Sequence, residues 1–266
     1  MEKNILLEHI PFEDYRSAEG LNSSLIPHII RSPAHALYYM EHTRPATTAQ
    51  TLGTAIHAAI LEPERFNAAY MRGPSCGKTF KADKQLWQEA EIQALQQQKI
   101  ILPAKEHDLA VSLREEVLQN QKLKTILESQ TVTEGSIFWA DEVTAVKCKA
   151  RPDLVSKDLE ICVDIKSTSD ASPRGFAESI KRYGYARQAA FYIRGLKQAG
   201  INIKSHVIIA VEKVPPYCVA SYVLSEDAYT AATNEIDSAL LIWKEALETK
   251  QFKKYSTDIQ RIDFNI

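Results

Sequence analysis

The 266-residue sequence lacks several features that would indicate a function directly. Its four cysteines are scattered and form no Cys-x-x-Cys pair, which excludes a zinc ribbon and an iron–sulfur cluster built from local motifs. No apolar run approaches the roughly 20 residues that a membrane span needs. The acidic start, MEKNILLEHIPFEDY, lacks the basic-then-apolar order of a signal peptide. We therefore expect a cytoplasmic protein without membrane contacts.

An excess of positive charge is also missing from the sequence. The formal net charge is −2 and the pI is about 6.4, so composition alone does not indicate a nucleic-acid partner. Phosphate neutralisation supplies most of the affinity of proteins for DNA, so any DNA contact must come from local basic patches. The hydrophobic content of 45% and charged content of 25% are those of an ordinary soluble globular protein.

The first part of the chain, residues 1–130, predicts mainly helices. Ser32-Pro33 provides an N-cap and a first-turn proline for one of them. Thr47 or Thr48 precedes another, in which apolar residues recur at helical spacing. Residues 71–84 predict an exposed basic loop rather than a helix or strand.

The second part, residues 131–266, predicts strands as well as helices. It predicts an antiparallel meander, one helix over roughly residues 176–198, two further strands, and a last long helix capped by Ser225. This order predicts a single α/β domain over residues 1–266, with a helical N-terminal extension.

The stretch RPDLVSKDLEICVDIKST, Arg151 to Thr168, contains a run, Ile161 to Ile165, that is otherwise suited to a buried strand. Asp and Lys are poor strand formers, so their presence in this stretch needs an explanation other than folding. Side chains alternate along a strand, so Asp164 and Lys166 share one face. A hairpin would place Asp153 opposite a residue near Ile161, with Asp164 about one pleat further. Two carboxylates at that range repel each other unless a cation lies between them. Oxygen ligands that leave further coordination positions for water suit Mg²⁺ or Mn²⁺ rather than zinc. The alternative is an exposed hairpin in which Asp164 and Lys166 form a surface ion pair.

Other candidate residues lie outside this hairpin. His57 lies on a mostly apolar helix, where a packed core histidine is the alternative. Glu134 lies at the start of a predicted strand, where a surface glutamate is the alternative. Gln188 and Tyr192 are spaced i and i+4, so one helix face could present an amide and a phenol to a phosphate or a base. An amphipathic helix packed on a sheet explains the same spacing.

Three patterns occur in order: G-x-x-x-H-x-x-x-L-E, P-D-x₁₀-D-x-K and Q-x-x-x-Y. Together they resemble the PD-(D/E)XK nuclease superfamily, and within it the RecE-type exonucleases (exonuclease VIII), from about Asn22 to Phe252. The resemblance implies a restriction-endonuclease-like core, in which helices flank a mixed central sheet.

The same resemblance implies an activity and partners. The activity is Mg²⁺-dependent 5′-to-3′ degradation of linear double-stranded DNA, with Mn²⁺ as a substitute, leaving a 3′ single strand for recombination and repair. The partners are further copies of the chain in a toroidal homotetramer and a single-strand annealing protein. Cleavage polarity and oligomeric state come from the resemblance, because no residue pattern in the sequence specifies them.

The resemblance also implies a metal site. Asp153 and Asp164 would bind the metal directly, and the backbone carbonyl of Ile165 and His57 would complete its ligands. A metal in this position polarises a phosphoryl oxygen and lowers the pKa of a bound water. We expect the acidic residues and Lys166 to line a solvent-facing site.

The remaining roles concern the substrate. Lys166 would orient the attacking water and stabilise charge that develops on the phosphate oxygens. Its neighbouring carboxylates favour the ammonium form, so we do not expect it to act as a free-amine base. Glu134 would bind a second metal or hold a metal-bound water. Gln188 and Tyr192 would position the scissile strand.

The acidic net charge requires a local basic path for DNA. A solvated charged face is the alternative for each cluster that could supply one. The candidates are Lys78, Lys81 and Lys84 in the predicted loop, Lys147, Lys149 and Arg151 along one strand, and Lys181, Arg182 and Arg187 around one helix.

Other functions remain possible from the sequence. One is an end- or structure-specific endonuclease on the same core, and another is a catalytically silent DNA-binding module. A nucleotide hydrolase is disfavoured: GPSCGKTF falls one residue short of the phosphate-binding loop motif, and no buried strand is predicted before it.

Overall fold

The computed structural model describes residues 5–7, 10–42 and 47–261. The helices are α1 (Phe12–Ser17), α2 (Ile26–Arg31), α3 (Pro33–Glu41), α4 (Thr48–Leu61), α5 (Pro63–Ala69), α6 (Lys81–Gln96), α7 (Ala104–Gln119), α8 (Gln121–Leu127), α9 (Pro173–Tyr183), α10 (Tyr185–Gln198) and α11 (Glu226–Thr249). The strands are β1 (Ile5–Leu7), β2 (Tyr70–Arg72), β3 (Ile100–Leu102), β4 (Thr131–Thr133), β5 (Ser136–Ala140), β6 (Lys147–Ala150), β7 (Leu154–Ser156), β8 (Ile161–Thr168), β9 (Ser205–Glu212) and β10 (Val219–Val223).

A five-stranded mixed sheet forms the centre of the described structure, in the order β10-β9-β8-β7-β4. Strands β8 and β9 are parallel, and the other pairs are antiparallel. A three-stranded antiparallel sheet, β1-β5-β6, lies beside it, and β2 pairs with β3 in parallel. Helices pack on the sheets, so the predicted fold class, a mixed sheet flanked by helices with a helical N-terminal part, is confirmed.

Strand β8 shows why its sequence folds as a central strand. Its β-branched residues favour extended backbone, and its side chains alternate between two separate cores. Val163 and Ile165 pack with α4 and α7, whereas Cys162 packs with α10 and α11. Both faces are covered, so a charged side chain on this strand leaves water on folding.

Local capping signals define three helix starts as predicted. The Thr47 hydroxyl accepts a hydrogen bond from the Gln50 N–H, and the Gln50 side chain accepts one from the Thr47 N–H, which forms a capping box before α4. Ser32 caps α3 and Ser225 caps α11 in the same way through their hydroxyls. Within the described residues, no helix is both long enough and apolar enough to cross a bilayer.

Two predicted elements differ from the structure. Residues 71–84 are not one loop: strand β2 extends to Arg72, and α6 begins at Lys81. The single helix predicted over residues 176–198 is two helices, because Gly184 adopts a left-handed conformation, with φ of +69°, between α9 and α10. Glycine tolerates this conformation without steric cost, so the break is local in origin.

The hairpin register also differs from the prediction. Ser156 pairs with Ile161 and Leu154 pairs with Val163, so the turn over residues 157–160 is centred later in the chain than a pairing of Asp153 with Ile161 requires. Asp153, one residue before β7, therefore lies level with Asp164 rather than near Ile161.

Candidate active site

The candidate site lies where the chain passes twice between the two larger sheets. It crosses once at Glu134, between β4 and β5, and again over residues 151–153, between β6 and β7. Glu134 has φ of +52°, an uncommon conformation for a residue with a side chain. Its N–H donates to the carbonyl of Asp153 at 2.9 Å, which joins the two crossings. Both acidic residues are thus held at one point of divergence between sheets.

Strand β7 is short, and this leaves one edge of β8 unpaired beyond Val163. The N–H of Ile165 faces that edge, and the Oδ2 atom of Asp153 accepts its hydrogen bond at 2.7 Å. The N–H and carbonyl of one strand residue point towards the same neighbouring strand. The Ile165 carbonyl therefore points to the side on which Asp153 lies.

Asp164 and Lys166 form an ion pair of 2.5 Å on the face of β8 opposite to Ile165. Their side chains are only 2% and 13% exposed, respectively. The expected solvent-facing site is therefore wrong, and so is the exposed-hairpin alternative. Burial of a charged pair in a central strand costs free energy, and apolar side chains would fill the same space without that cost. The presence of Asp164 and Lys166 in this strand therefore points to a chemical role.

His57 on α4 reaches the same cluster. Its Nδ1 atom lies 3.3 Å from Oδ2 of Asp153. Burial by itself would lower the pKa of His57, but the Asp153 carboxylate outweighs it, and the pKa is raised. His57 is therefore more than a packed core residue: it holds Asp153 in place through a polar contact. Its role as a direct metal ligand stays a prediction.

The charges of the cluster support one another. Burial alone would raise the pKa of Asp153, but the His57 ring and the Lys166 ammonium outweigh it and lower that pKa. Burial alone would lower the pKa of Lys166, but Asp164 and Asp153 outweigh it, so the pKa is raised and the side chain stays an ammonium ion. For Asp164, burial prevails over the opposing Lys166 charge and raises the pKa to about 6.

Glu134 and Arg151 form a second ion pair, which bridges the two crossings. The Nε atom of Arg151 donates to Oε2 of Glu134 at 2.8 Å, and its Nη1 donates to the Ser136 hydroxyl and the Ile10 carbonyl. Burial and the nearby Asp153 carboxylate raise the pKa of Glu134 despite the Arg151 guanidinium. The Arg151 side chain is only 8% exposed, which contradicts the expectation that it contacts DNA.

Gln188 and Tyr192 do share one face of α10, as their spacing predicted. The Nε2 atom of Gln188 donates to the Tyr192 hydroxyl at 2.8 Å. Burial raises the pKa of Tyr192 well above its usual value, and the charges of Asp164 and Asp153 raise it further. The pair is therefore electrostatically coupled to the acidic cluster, while its contact with a substrate strand stays a prediction.

Lys149 is the clearest error among the predicted DNA-binding residues. It is buried, and its ammonium donates to the backbone carbonyls of Tyr15, Arg16 and Ala18. These carbonyls lie at the end of α1, so Lys149 fastens that helix to β6. A phosphate cannot reach an ammonium held in this way.

The other predicted basic residues lie at the surface or near it. Lys147 pairs with Glu19, Lys78 pairs with Glu91 and lies over the Trp87 ring, Arg187 pairs with Glu235, and Lys81, Lys84, Lys181 and Arg182 are exposed. Their DNA contacts remain predictions. The GPSCGKTF segment follows the short strand β2. A phosphate-binding loop requires a buried strand at that position, and β2 is not one.

Several residues around the site were not assigned a role from the sequence. The Tyr185 ring lies 4.9 Å from Nζ of Lys166, and Arg65 is close enough to Glu134 for their charges to interact. Arg65 itself pairs with Glu62, the glutamate of the L-E pattern, at 2.6 Å. Tyr185 lies one helical turn before Gln188, and this spacing is the only sequence signal that could have identified it.

The donor set fits a hard divalent cation better than zinc or iron. Asp164 Oδ1 is buried and has no hydrogen-bond partner among the residues that the structure describes, so it offers an unsatisfied anionic oxygen. Asp153 and the Ile165 carbonyl add oxygen donors on the open edge of β8. Across residues 5–7, 10–42 and 47–261, no group of three or more His, Cys, Asp or Glu side chains is arranged to hold a metal. A cation here would therefore rely on carbonyl and water oxygens as well as carboxylates.

The fold and this constellation define a PD-(D/E)XK-type domain, with Asp153 before a short strand and Asp164-x-Lys166 within the next. Residues 22–264 match the model of the family described as "PDDEXK-like domain of unknown function (DUF3799)", and the chain belongs to that family. A search of curated proteins found no match.

Solved structures with detectable similarity to this chain include three that are named as exonucleases. A "Putative exonuclease" from Eubacterium rectale aligns with a TM-score of 0.60 and 13% identity, over 90% of this chain and 87% of that one. A phage-related exonuclease from Haemophilus somnus 129PT aligns over 88% and 97% of the two chains, at 12% identity and a TM-score of 0.37. The alkaline exonuclease LHK-Exo from Laribacter hongkongensis aligns over 74% and 97%, at 14% identity and a TM-score of 0.33. Only the first similarity is close enough to support the fold.

Proposed function

We propose that this protein is a divalent-metal-dependent exonuclease that degrades linear double-stranded DNA from 5′ to 3′. One observation carries the proposal: a buried Asp153–Asp164–Lys166 cluster lies at the divergence of two sheets, and Asp164 keeps one oxygen without a hydrogen bond among the described residues. Membership of a PDDEXK-like family and similarity to a structure named as an exonuclease support it. Polarity and preference for duplex ends rest on the resemblance to RecE-type enzymes.

Asp153, Asp164 and the Ile165 carbonyl would hold the metal, with His57 keeping Asp153 in position or joining the ligands. Bound there, Mg²⁺ or Mn²⁺ supplies Lewis-acid polarisation of the phosphate and a more acidic water. Asp164 is predisposed to a cation because burial has raised its pKa and left one oxygen unsatisfied.

Lys166 would act as a fixed cation and not as a base. Its raised pKa keeps the ammonium form, and its bond to Asp164 fixes its direction. A preorganised donor in a water-poor site stabilises the charge that develops on phosphate oxygens more strongly than water does. Glu134, held by Arg151, would accept a proton or hydrogen bond from the attacking water.

The substrate strand would lie along α10 and the basic residues near it. Gln188 and Tyr192 would contact the strand beside the scissile phosphate, while Arg182, Lys78 and Lys81 would contact phosphates further away. A toroidal homotetramer and a single-strand annealing partner complete the proposal; light scattering of the purified protein tests the first of these.

The decisive experiment is digestion of linear duplex DNA that carries a label at either the 5′ or the 3′ end. Reactions contain Mg²⁺, Mn²⁺ or excess EDTA, and a closed circular duplex is run beside them. Asp164→Asn is the inactive variant. Asp158→Asn, an exposed carboxylate in the turn of the same hairpin, is its matched control.

We expect metal-dependent release of the 5′ label, an intact circle, no digestion by Asp164→Asn, and wild-type digestion by Asp158→Asn. Cutting of the circle would instead establish an endonuclease on the same fold. Binding of DNA without digestion in any metal would establish a catalytically silent DNA-binding module.

A further inference from the structure

We propose that Tyr183 is a stacking site for an unpaired nucleobase at the end of the substrate duplex. The inference rests on the proposed function and deepens it, because it concerns how a DNA end is presented to the candidate site. Tyr183 is the last residue of α9, and it is 62% exposed. A large part of this aromatic side chain is therefore accessible to a ligand.

Two tyrosine side chains connect this surface to Lys166. The Tyr185 ring lies 4.9 Å from Nζ of Lys166, a separation at which a ring face attracts a cation. The Tyr183 ring stacks on Tyr185, with centroids 5.6 Å apart and planes inclined by 26°. Lys166, Tyr185 and Tyr183 thus form one continuous series that runs from the ion pair to the surface.

The backbone holds the two tyrosines in this relation. Gly184 separates them and has φ of +69°, so the chain turns sharply between α9 and α10 and places both rings side by side. The hydroxyl of Tyr222 donates to the Ala171 carbonyl, and its ring stacks on Phe176, which in turn contacts Tyr185. The inner ring is therefore supported from behind, and the outer ring presents its free face.

A nucleobase is the ligand that this arrangement fits. Aromatic side chains bind unpaired bases of any sequence, because every base has a π face, and each stack changes affinity measurably. Basic residues for the phosphates are available in the same turn, since Lys181 and Arg182 are exposed in the last turn of α9, which ends at Tyr183. Successive bases of one strand rise by about 3.4 Å, so Tyr183 lies within reach of the first few nucleotides from the scissile phosphate. Stacking of the terminal base on Tyr183 would separate it from its partner and expose its phosphate to Lys166.

Fluorescence of the base analogue 2-aminopurine tests the proposal, since stacking of this base on an aromatic ring quenches its fluorescence. The probe replaces the first, second or third base from the 5′ end of a duplex, and Ca²⁺ replaces Mg²⁺ so that binding is read without hydrolysis. The variants are Tyr183→Ala, Tyr183→Phe and Tyr183→Trp. Tyr38→Ala is the matched control, because Tyr38 is 59% exposed and its ring also stacks on a neighbouring ring, that of His42. Tyr38 lies on α3, which packs on α2 and α11.

We expect wild-type protein, Tyr183→Phe, Tyr183→Trp and Tyr38→Ala to quench the probe at one of the three positions. Tyr183→Ala would lose that quenching and bind a frayed end about 5- to 150-fold more weakly, the range that one base–aromatic stack supplies. Undiminished quenching by Tyr183→Ala, or no quenching by the wild type, would overturn the proposal.

A purely structural role for Tyr183 gives a different result. Tyr183→Ala would then slow digestion in Mg²⁺ equally on blunt and frayed ends, with unchanged quenching in Ca²⁺, and this outcome also overturns the stacking site. Digestion by the wild type, measured on the same preparations, decides the proposed exonuclease separately. The two ideas can therefore fail independently.

Discussion

At the scale of single residues, Lys166 occupies a position where folding alone would favour an apolar side chain. Its side chain is 13% exposed in a central strand, with Asp164 2.5 Å away. Replacement of one member of a buried ion pair leaves the other charged and without compensation, and this costs more than the pair itself contributes. The lysine therefore affects stability and chemistry together.

We predict that Lys166→Met lowers hydrolysis by at least about 10²- to 10³-fold, because a preorganised cation is lost. The same change should lower the free energy of unfolding by about 3–5 kcal/mol, because Asp164 stays buried without its partner. Urea unfolding and digestion of linear duplex measure the two effects.

The double variant Asp164→Asn/Lys166→Met should recover part of the stability but none of the activity. Lys253→Met, which removes an exposed lysine paired with Glu245, is the control and should leave the urea midpoint unchanged. A Lys166→Met protein that unfolds at the wild-type urea concentration would show that the ion pair is not buried as described.

His206 gives the protein a defined pH dependence of stability. It is 1% exposed on β9, and neither ring nitrogen has a hydrogen-bond partner within the described part of the chain. Burial, followed by the charge of Lys166, lowers its pKa from 6.5 to about 4. The folded protein therefore holds His206 neutral while the unfolded chain binds a proton at higher pH.

Between about pH 6.5 and pH 4 the unfolded state binds more protons than the folded state, so the free energy of unfolding falls as the pH falls. The full contribution of His206 to this loss is about 3 kcal/mol. We expect His206→Leu to show a correspondingly shallower decline in urea midpoint between about pH 7 and pH 4. His42→Leu, at an exposed position, should retain the wild-type slope. Equal slopes for His206→Leu and the wild type would contradict the prediction.

At the scale of secondary-structure elements, two breaks in regular structure position the site. The short strand β7 leaves an N–H of β8 for Asp153 to satisfy, and the left-handed Gly184 turns α9 into α10. Each break is one residue or a few residues long. Each nevertheless decides which side chains meet Lys166.

We predict that Gly184→Ala and Gly200→Ala lower stability to a similar extent, about 1–2 kcal/mol, because both positions have positive φ. Only Gly184→Ala should also reduce hydrolysis, because Gly184 lies in the turn that sets Tyr185 over Lys166 and its added Cβ would meet the Arg187 guanidinium on α10. At Gly200 an added Cβ meets no atom within 4 Å, so that variant isolates the backbone strain.

Thermal unfolding and initial digestion rates, compared for both variants, check this prediction. Equal losses of activity would mean that the α9–α10 turn has no special relation to the site.

At the scale of the whole molecule, each main hydrophobic core draws on both parts of the chain. One core joins Leu25 and Ile29 to Trp139 and Phe191. The other joins helices α4 and α7 to strands β8 and β9. Neither part can bury its own apolar surface without the other, so the two parts should unfold together.

We therefore expect one cooperative unfolding transition. A variant with Trp139→Phe and Trp243→Phe retains Trp87 on α6 as its only tryptophan, and the Trp87→Phe variant reports on the other two. The fluorescence midpoint of each variant should coincide with its midpoint by far-ultraviolet circular dichroism. Separate midpoints would show that residues 1–130 and 131–266 are independent domains.

The sequence by itself determined the features that depend on a few neighbouring residues. Alternation along β8 predicted the common face of Asp164 and Lys166, capping side chains predicted the starts of α3, α4 and α11, and motif order predicted the fold class. These signals are local because they arise from backbone geometry and hydrogen bonds within one or two turns.

Only the tertiary structure decided the burial and partners of the charged residues. Lys149 and Arg151 looked like DNA contacts from their alternation, yet both are held inside the protein. Lys149 donates to carbonyls more than 130 residues away in sequence. Arg151 donates to the equally distant Ile10 carbonyl and pairs with Glu134. The register that brings Asp153 level with Asp164 depends on where β7 meets β8 and on the crossing at Glu134. A charge pattern looks the same in a solvated strand and in a buried one, and only the elements that pack over it determine which of the two it becomes.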